Sequence, residues 1–256
     1  MSQPPVSVNS LAPLINVSLL LSATQRTINR SRHLPGIVGF YGYAGWGKTQ
    51  AARFVTNSVD AAHIEIKKFW DKPMLFEELC GELGLRPKNR SVAHMGALIA
   101  GHLSVTQTPV IIDEFDIAVQ RNWVDEIRGL YEASKAPFII IGEDTLPGDL
   151  RRWERFHSRV REWVPAQPND IEDCRTLVRL YGHPGVTIAE DLLTNLHAQS
   201  GGSARRICNN IDKVNEFAAE NALNLVDCAL WGENRFDTGD APERSGYVAS
   251  KSRRHK

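Results

Sequence analysis

Residues 42–49 read Gly-Tyr-Ala-Gly-Trp-Gly-Lys-Thr, a complete G-x-x-x-x-G-K-[ST] spacing. These residue types suit one task, which is to wrap backbone N–H groups around phosphates. Gly42, Gly45 and Gly47 let the main chain approach closely without Cβ clashes. Lys48 is placed to reach the β- and γ-phosphates, and the Thr49 hydroxyl to ligate Mg²⁺. Tyr43, Ala44, Trp46 and Gln50 complete the candidate binding set. Trp46 is unusual inside such a loop; it either stacks on a neighbouring surface or covers the loop. The ligand implied is a nucleoside triphosphate.

A second constellation lies downstream. Pro109-Val110-Ile111-Ile112 is an apolar run that ends in Asp113-Glu114. In nucleotide-binding parallel sheets, ligands sit at the carboxyl ends of the strands. Asp113 is therefore a candidate Mg²⁺ ligand, directly or through water. Glu114 is the candidate to polarise an attacking water, in a reaction where positioning matters more than proton transfer.

The elements that must hold these groups follow from pattern. Ile37 to Tyr41 predicts a strand before the Gly-rich loop, and Gln50 to Val55 a helix after it. His63 to Lys67 predicts a second strand. Asp71 is expected to cap a helix running to about Leu83, followed by the basic turn Arg86-Pro87-Lys88-Asn89-Arg90. Further helices are expected from Val92 to about Leu103 and from about Trp123 to Ser134, with a strand at Phe138 to Ile141. This alternation implies an α/β fold, a mostly parallel sheet with helices on both faces.

At 256 residues, one α/β domain plus a small helical one is a natural division, and the 42% hydrophobic share supports a sizeable core. Net charge is zero but unevenly spread. Residues 1–59 contain no Asp or Glu and five Lys or Arg, and the last six residues include Lys251, Arg253, Arg254 and Lys256. Such blocks contact nucleic acid or acidic partners, or are simply solvated. Cys80, Cys174, Cys208 and Cys228 are widely spaced, which fits reduced structural thiols in a cytoplasm. No run reaches membrane-spanning length. Leu11 to Ala23 is apolar but lacks a preceding Lys or Arg, so it is read as an amphipathic N-terminal helix or arm rather than an export signal.

Two later segments carry a resemblance. Residues 155–159 read Arg-Phe-His-Ser-Arg, before the strand-like Trp163-Val164; Gly201-Gly202-Ser203-Ala204-Arg205-Arg206 opens a helix carrying Ile207, Ile211 and Val214. With the two nucleotide motifs, these resemble an AAA+ ATPase, a P-loop NTPase with a five-stranded parallel sheet and a C-terminal helical lid. By that resemblance Arg159 is the arginine finger that reaches a neighbouring subunit's ATP, as in the initiator branch of DnaA and Orc-type proteins. Arg155 is the second choice, with Arg151 and Arg152 further behind. Arg205 is the sensor-2 contact to the γ-phosphate, with Arg206 as substitute. Sensor 1 falls at Glu143 or Thr145, an acidic departure from the usual Asn, Ser or Thr.

The compact organisation is similar to MuB-like and TnsC-type transposition ATPases over roughly residues 10–230. The resemblance implies ATP bound with Mg²⁺ between subunits, and homo-oligomers or filaments on double-stranded DNA. It also implies recruitment and activation of a transposase. The rival readings are a helicase loader of the IstB or DnaC kind and a replication initiator; an initiator would normally add a sequence-reading domain. Lys67, Lys68, Lys88 and Arg90 are candidate contacts to the DNA backbone. The expected layout is an N-terminal arm or helix at 1–33, a nucleotide-binding domain at 34–166, a helical lid at 167–232 and a polar basic tail at 233–256.

Overall fold

The computed structural model describes residues 14–239. The N-terminal 13 residues and the cluster at 251–256 lie outside that range. Helix α1 (Ile15–Ile28) leads into β1 (Ile37–Tyr41), the Gly-rich loop and α2 (Lys48–Val59). There follow β2 (Ala62–Glu65), α3 (Lys72–Glu82), α4 (Val92–Thr106), β3 (Val110–Asp113), α5 (Phe115–Gln120), α6 (Val124–Ser134) and β4 (Phe138–Gly142). Short helices α7 (Leu146–Asp149) and α8 (Glu154–His157) flank a 3₁₀ turn at Leu150–Arg152 and precede β5 (Val160–Pro165).

The fold is α/β. Five strands form one parallel sheet in the order β2-β3-β4-β1-β5. Strands β3 and β4 are buried at every position, as expected when helices cover both faces. Alternate residues feed two cores. Ile37, Ile64, Ile112, Phe138 and Ile140 pack with α3, α4, α5 and α6. Val38, Phe40, Ile111, Ile139 and Ile141 pack with α1, α2 and the helices that follow β5.

Those helices are α9 (Ile171–Tyr181), α10 (Glu190–Ser200), α11 (Ala204–Glu220) and α12 (Cys228–Trp231), joined by a two-stranded pairing of β6 (Thr187–Ile188) with β7 (Leu225–Val226). Asp170, Ser203 and Asp227 cap α9, α11 and α12 through side-chain oxygens.

Three differences from the sequence expectations matter. The region read as an N-terminal arm or helix does contain a helix, α1, but its Val17, Leu20 and Ala23 are core residues rather than a projecting arm. Helix α5 was not expected, because six residues are too few to show a period. The tail expected from residue 233 begins packed on the lid. Phe236 stacks on Trp231 with centroids 4.9 Å apart, and Asp237 N–H donates to Asn210 Oδ1 at 2.6 Å. Among the described residues, no helix is long and apolar enough to cross a membrane.

Candidate nucleotide site

The loop between β1 and α2 sits at the carboxyl end of β1, on the side of the sheet where β4 and, beyond it, β3 also end. Gly45 (φ 85°) and Gly47 (φ 86°) adopt left-handed backbone that side chains disfavour. A Cβ at Gly45 would also come within 2.6 Å of Ser203 Oγ. Lys48 Nζ donates to the Gly42 carbonyl at 2.6 Å and the Tyr43 carbonyl at 2.9 Å, which fixes the loop's curvature. Trp46 covers the loop edge-on against Tyr43, at 5.1 Å between centroids.

Ala44 to Gln50 line a cavity of about 340 Å³ together with Asp113, Glu114, Glu143 and Arg205. Gly42 and Tyr43 stand behind it, where Lys48 holds them. The cavity's other wall is mainly apolar, from Leu14, Val17, Leu177, Tyr181 and Cys208. Burial pushes the Cys208 thiol up to about 11, so it stays neutral.

Asp113 is 2% exposed. Its Oδ1 accepts from the Glu114 N–H at 2.8 Å, while its Oδ2 is buried with no hydrogen-bond partner. An orphaned buried carboxylate oxygen costs stability unless a cation or water meets it. Thr49 lines the same cavity. No cluster of three His, Cys, Asp or Glu able to hold a metal occurs among the described residues. One carboxylate and one hydroxyl suit Mg²⁺, which takes few protein ligands and keeps waters and phosphate oxygens. The residues present therefore fit that ion.

Glu114 adopts left-handed backbone (φ 56°) as the N-cap of α5. Such a conformation is strained for a non-glycine residue, and it occurs here at the cavity. Burial, then the charges of Asp113, Asp116 and Glu65, raise the Glu114 pKa, while Lys48 lowers it. Asp116 was not anticipated. Its Oδ2 accepts from the Glu143 N–H at 2.9 Å, tying α5 to the turn after β4. Glu143 thereby reaches the cavity, whereas Thr145 donates to Asp149 at 2.9 Å.

Asn16 was also missed. It is 2% exposed, and its Nδ2 donates to the carbonyls of Trp46 and Gln167, each at 2.8 Å. Its Oδ1 accepts from the Gln167 N–H at 2.8 Å. The Ile15 N–H donates to Asp173 on α9 at 3.0 Å. Helix α1 thus joins the phosphate loop, the start of the lid and α9. An asparagine inside the otherwise largely apolar run from Leu14 to Leu21 was the available signal.

Arg205 and Arg206 part company. Arg205 lines the cavity, and its N–H donates to the Gly45 carbonyl at 3.3 Å. The Arg206 guanidinium lies against Gly239, on the lid's far segment. Arg159 is not brought to the cavity. Its carbonyl accepts from the Ile37 N–H at 3.2 Å, at the opposite end of β1, roughly 16 Å of strand away. Arg159 pairs there with Glu132 at 3.4 Å, and Glu132 also pairs with Arg128 at 2.8 Å. Arg151 and Arg155 are exposed, and Arg152 lies over the Trp153 ring at 3.9 Å.

Of the candidate DNA contacts, Lys67 pairs with Glu65 and Arg90 with Glu77, the latter at 2.8 Å. Lys68 and Lys88 are exposed.

Residues 31–148 match a protein-family model described as AAA domain. Over those residues the chain is similar to an AAA domain. That match spans β1 to α7, including the phosphate loop and Asp113-Glu114. No curated protein matches the chain. Among solved structures it is similar to Cdc6p from Pyrobaculum aerophilum: 16% identity over 86% of this chain and 68% of that one, TM-score 0.61. It is similar to the Aeropyrum pernix ORC1 protein in complex with DNA at 17% identity, covering 86% and 66% of the two chains, TM-score 0.61. Domain III of the Thermotoga maritima replication initiation protein DnaA gives 16% identity over 89% and 96%, TM-score 0.57. The chain spans about two thirds of the two archaeal proteins and nearly all of the DnaA domain. At these identities the likeness is one of fold.

Proposed function

We propose that this chain binds and hydrolyses ATP between subunits, and that the ATP-bound protein assembles on double-stranded DNA. The observation that carries the reading is one cavity lined at once by the phosphate loop, by Asp113 and Glu114, and by lid residue Arg205. Backbone N–H groups at the start of α2 receive the phosphates, and Lys48 exchanges its two carbonyl partners for phosphate oxygens. The apolar wall of Leu14, Val17, Leu177 and Tyr181 receives the base. Thr49 and Asp113 would hold Mg²⁺, which when bound would supply charge compensation for the phosphate oxygens. Glu114 orients the attacking water, and Arg205 steadies the γ-phosphate from the lid. Arg159 lies too far from its own subunit's cavity and serves a neighbour's. The protein to which the DNA is handed or marked is, in this reading, a transposase that the assembly recruits and activates. The location is the cytoplasm.

The initiator-type reading is the second one, favoured by the fold likeness to Cdc6p, ORC1 and DnaA. Nucleotide titration and phosphate-release assays test the shared core. Lys48→Ala is expected to lose triphosphate binding, and Glu114→Gln to bind but not turn over. Unchanged turnover in Glu114→Gln would assign the water to another group.

A further inference from the structure

Between β2 and α3 the chain reads Ile66-Lys67-Lys68-Phe69-Trp70-Asp71. Phe69 is 84% exposed, while Ile66 is 1% exposed and Trp70 packs on the core. Large apolar side chains left singly in water are ordinary on loose surfaces, but this loop is built. The Ile66 N–H donates to the Asp113 carbonyl at 3.1 Å, and the Trp70 N–H to the Lys67 carbonyl at 3.0 Å. Arg121 Nη2 donates to the Lys68 carbonyl at 2.5 Å. Asp71 caps α3 by accepting from the Met74 N–H at 2.9 Å. The Phe69 ring is therefore presented on a braced turn, beside two lysines and an exposed arginine.

An apolar ring set among cations matches one kind of partner closely. A nucleic acid offers a flat base face to the ring and phosphates to the ammonium groups on either side. Lys67 already pairs with Glu65, but a purely apolar protein groove would leave Lys68 and Arg121 without counter-charge. We propose that Phe69 stacks on a base of the bound DNA, at a step opened or distorted on the assembly, while Lys67 and Lys68 hold the adjoining phosphates. This rests on the DNA-binding reading above and goes beyond it, because backbone contacts alone need no aromatic group. The turn is also tied through Arg121 to the C-terminal end of α5, whose N-cap is Glu114. A base held at Phe69 is thus one short helix from the candidate water-orienting carboxylate.

The test uses the full chain with a slowly hydrolysed ATP analogue and a duplex carrying 2-aminopurine, whose emission reports stacking. The wild-type protein should change that emission on binding. Phe69→Ala should abolish the change and weaken binding about tenfold, with an unchanged melting temperature because the ring is exposed. Phe69→Trp should keep both properties. Lys68→Ala should weaken binding and flatten its salt dependence, yet keep the emission change. If Phe69→Ala retains the emission change and the affinity while Lys68→Ala loses affinity, the DNA passes over the loop without using the ring, and the proposal is wrong though the DNA reading stands. If the wild-type protein binds no DNA in any nucleotide state, both fall.

Discussion

Lys48 carries a charge that its surroundings contest. Burial lowers its pKa, while Asp113, Glu114, Asp116 and Glu143 support the protonated form. Four carboxyl groups around one lysine leave the cavity locally acidic, a poor place for a triphosphate until a cation neutralises it. The Asp113 Oδ2 atom is buried and without a partner, and is the oxygen the proposal gives to that cation. Glu114 feels the same crowding: burial and neighbouring carboxylates raise its pKa. A raised carboxyl pKa means the proton returns at a higher pH than for an ordinary glutamate. The acidic limb of the hydrolysis rate is therefore expected at a higher pH than an ordinary glutamate would give. Asp116→Asn removes one of the raising charges and should move that limb to lower pH; a limb that stays put under saturating nucleotide would exclude Glu114 as its origin. That the Gly-rich loop and the acidic pair would meet was readable from their spacing, and both line one cavity. Asp116 was not readable, since its value lies in the Glu143 N–H it holds, which nothing local reveals.

At the scale of elements, strands were the most legible. Runs such as Phe138 to Ile141 are apolar throughout because both faces are covered. Helix α1 was legible as a helix but not as a strut. Asn16 and Gln167 are 151 positions apart, so no window of sequence contains their contact. Asn16→Ala leaves the Gln167 N–H and the Trp46 carbonyl without this partner and should destabilise the fold by about 1–3 kcal/mol. It should also weaken nucleotide binding, because the loop carbonyl it holds is freed; calorimetric titration and thermal melting measure the two effects. The far end of the lid gives a sharper boundary test. A chain ending at residue 239 keeps Phe236 on Trp231 and Asp237 on Asn210. Ending it at 233 removes both and should lower the melting temperature, whereas equal melting of the two truncations would show that the docked segment adds nothing. Helices α9 and α10 fall in the segment expected to be helical, but their separate bounds were not read; both pack largely on α11.

For the whole molecule, the central question is what zero net charge allows. On the proposed DNA-assembly reading, a neutral chain has no global field to attract DNA, so weak basic contacts would have to be repeated by assembly to give useful avidity. The sheet's geometry suits that. The cavity lies at one end of β1 and Arg159 at the other, so one subunit presents a site and a separate arginine face. Within the single chain Arg159 is held by Glu132, which Arg128 also pairs with. Arg159→Ala should leave ATP binding by the isolated subunit intact and reduce both hydrolysis and assembly by at least tenfold, as loss of a charge-stabilising group does in phosphoryl transfer. Normal turnover in that variant would place the finger elsewhere.

The most direct measurement is negative-stain electron microscopy of the protein with double-stranded DNA, in ATP, in ADP and in a slowly hydrolysed ATP analogue. The expected result is ordered oligomers or filaments on DNA with the triphosphates, persisting with the analogue and absent with ADP. DNA that stays bare in every nucleotide state, with ATP binding intact, would contradict ATP-dependent assembly on DNA.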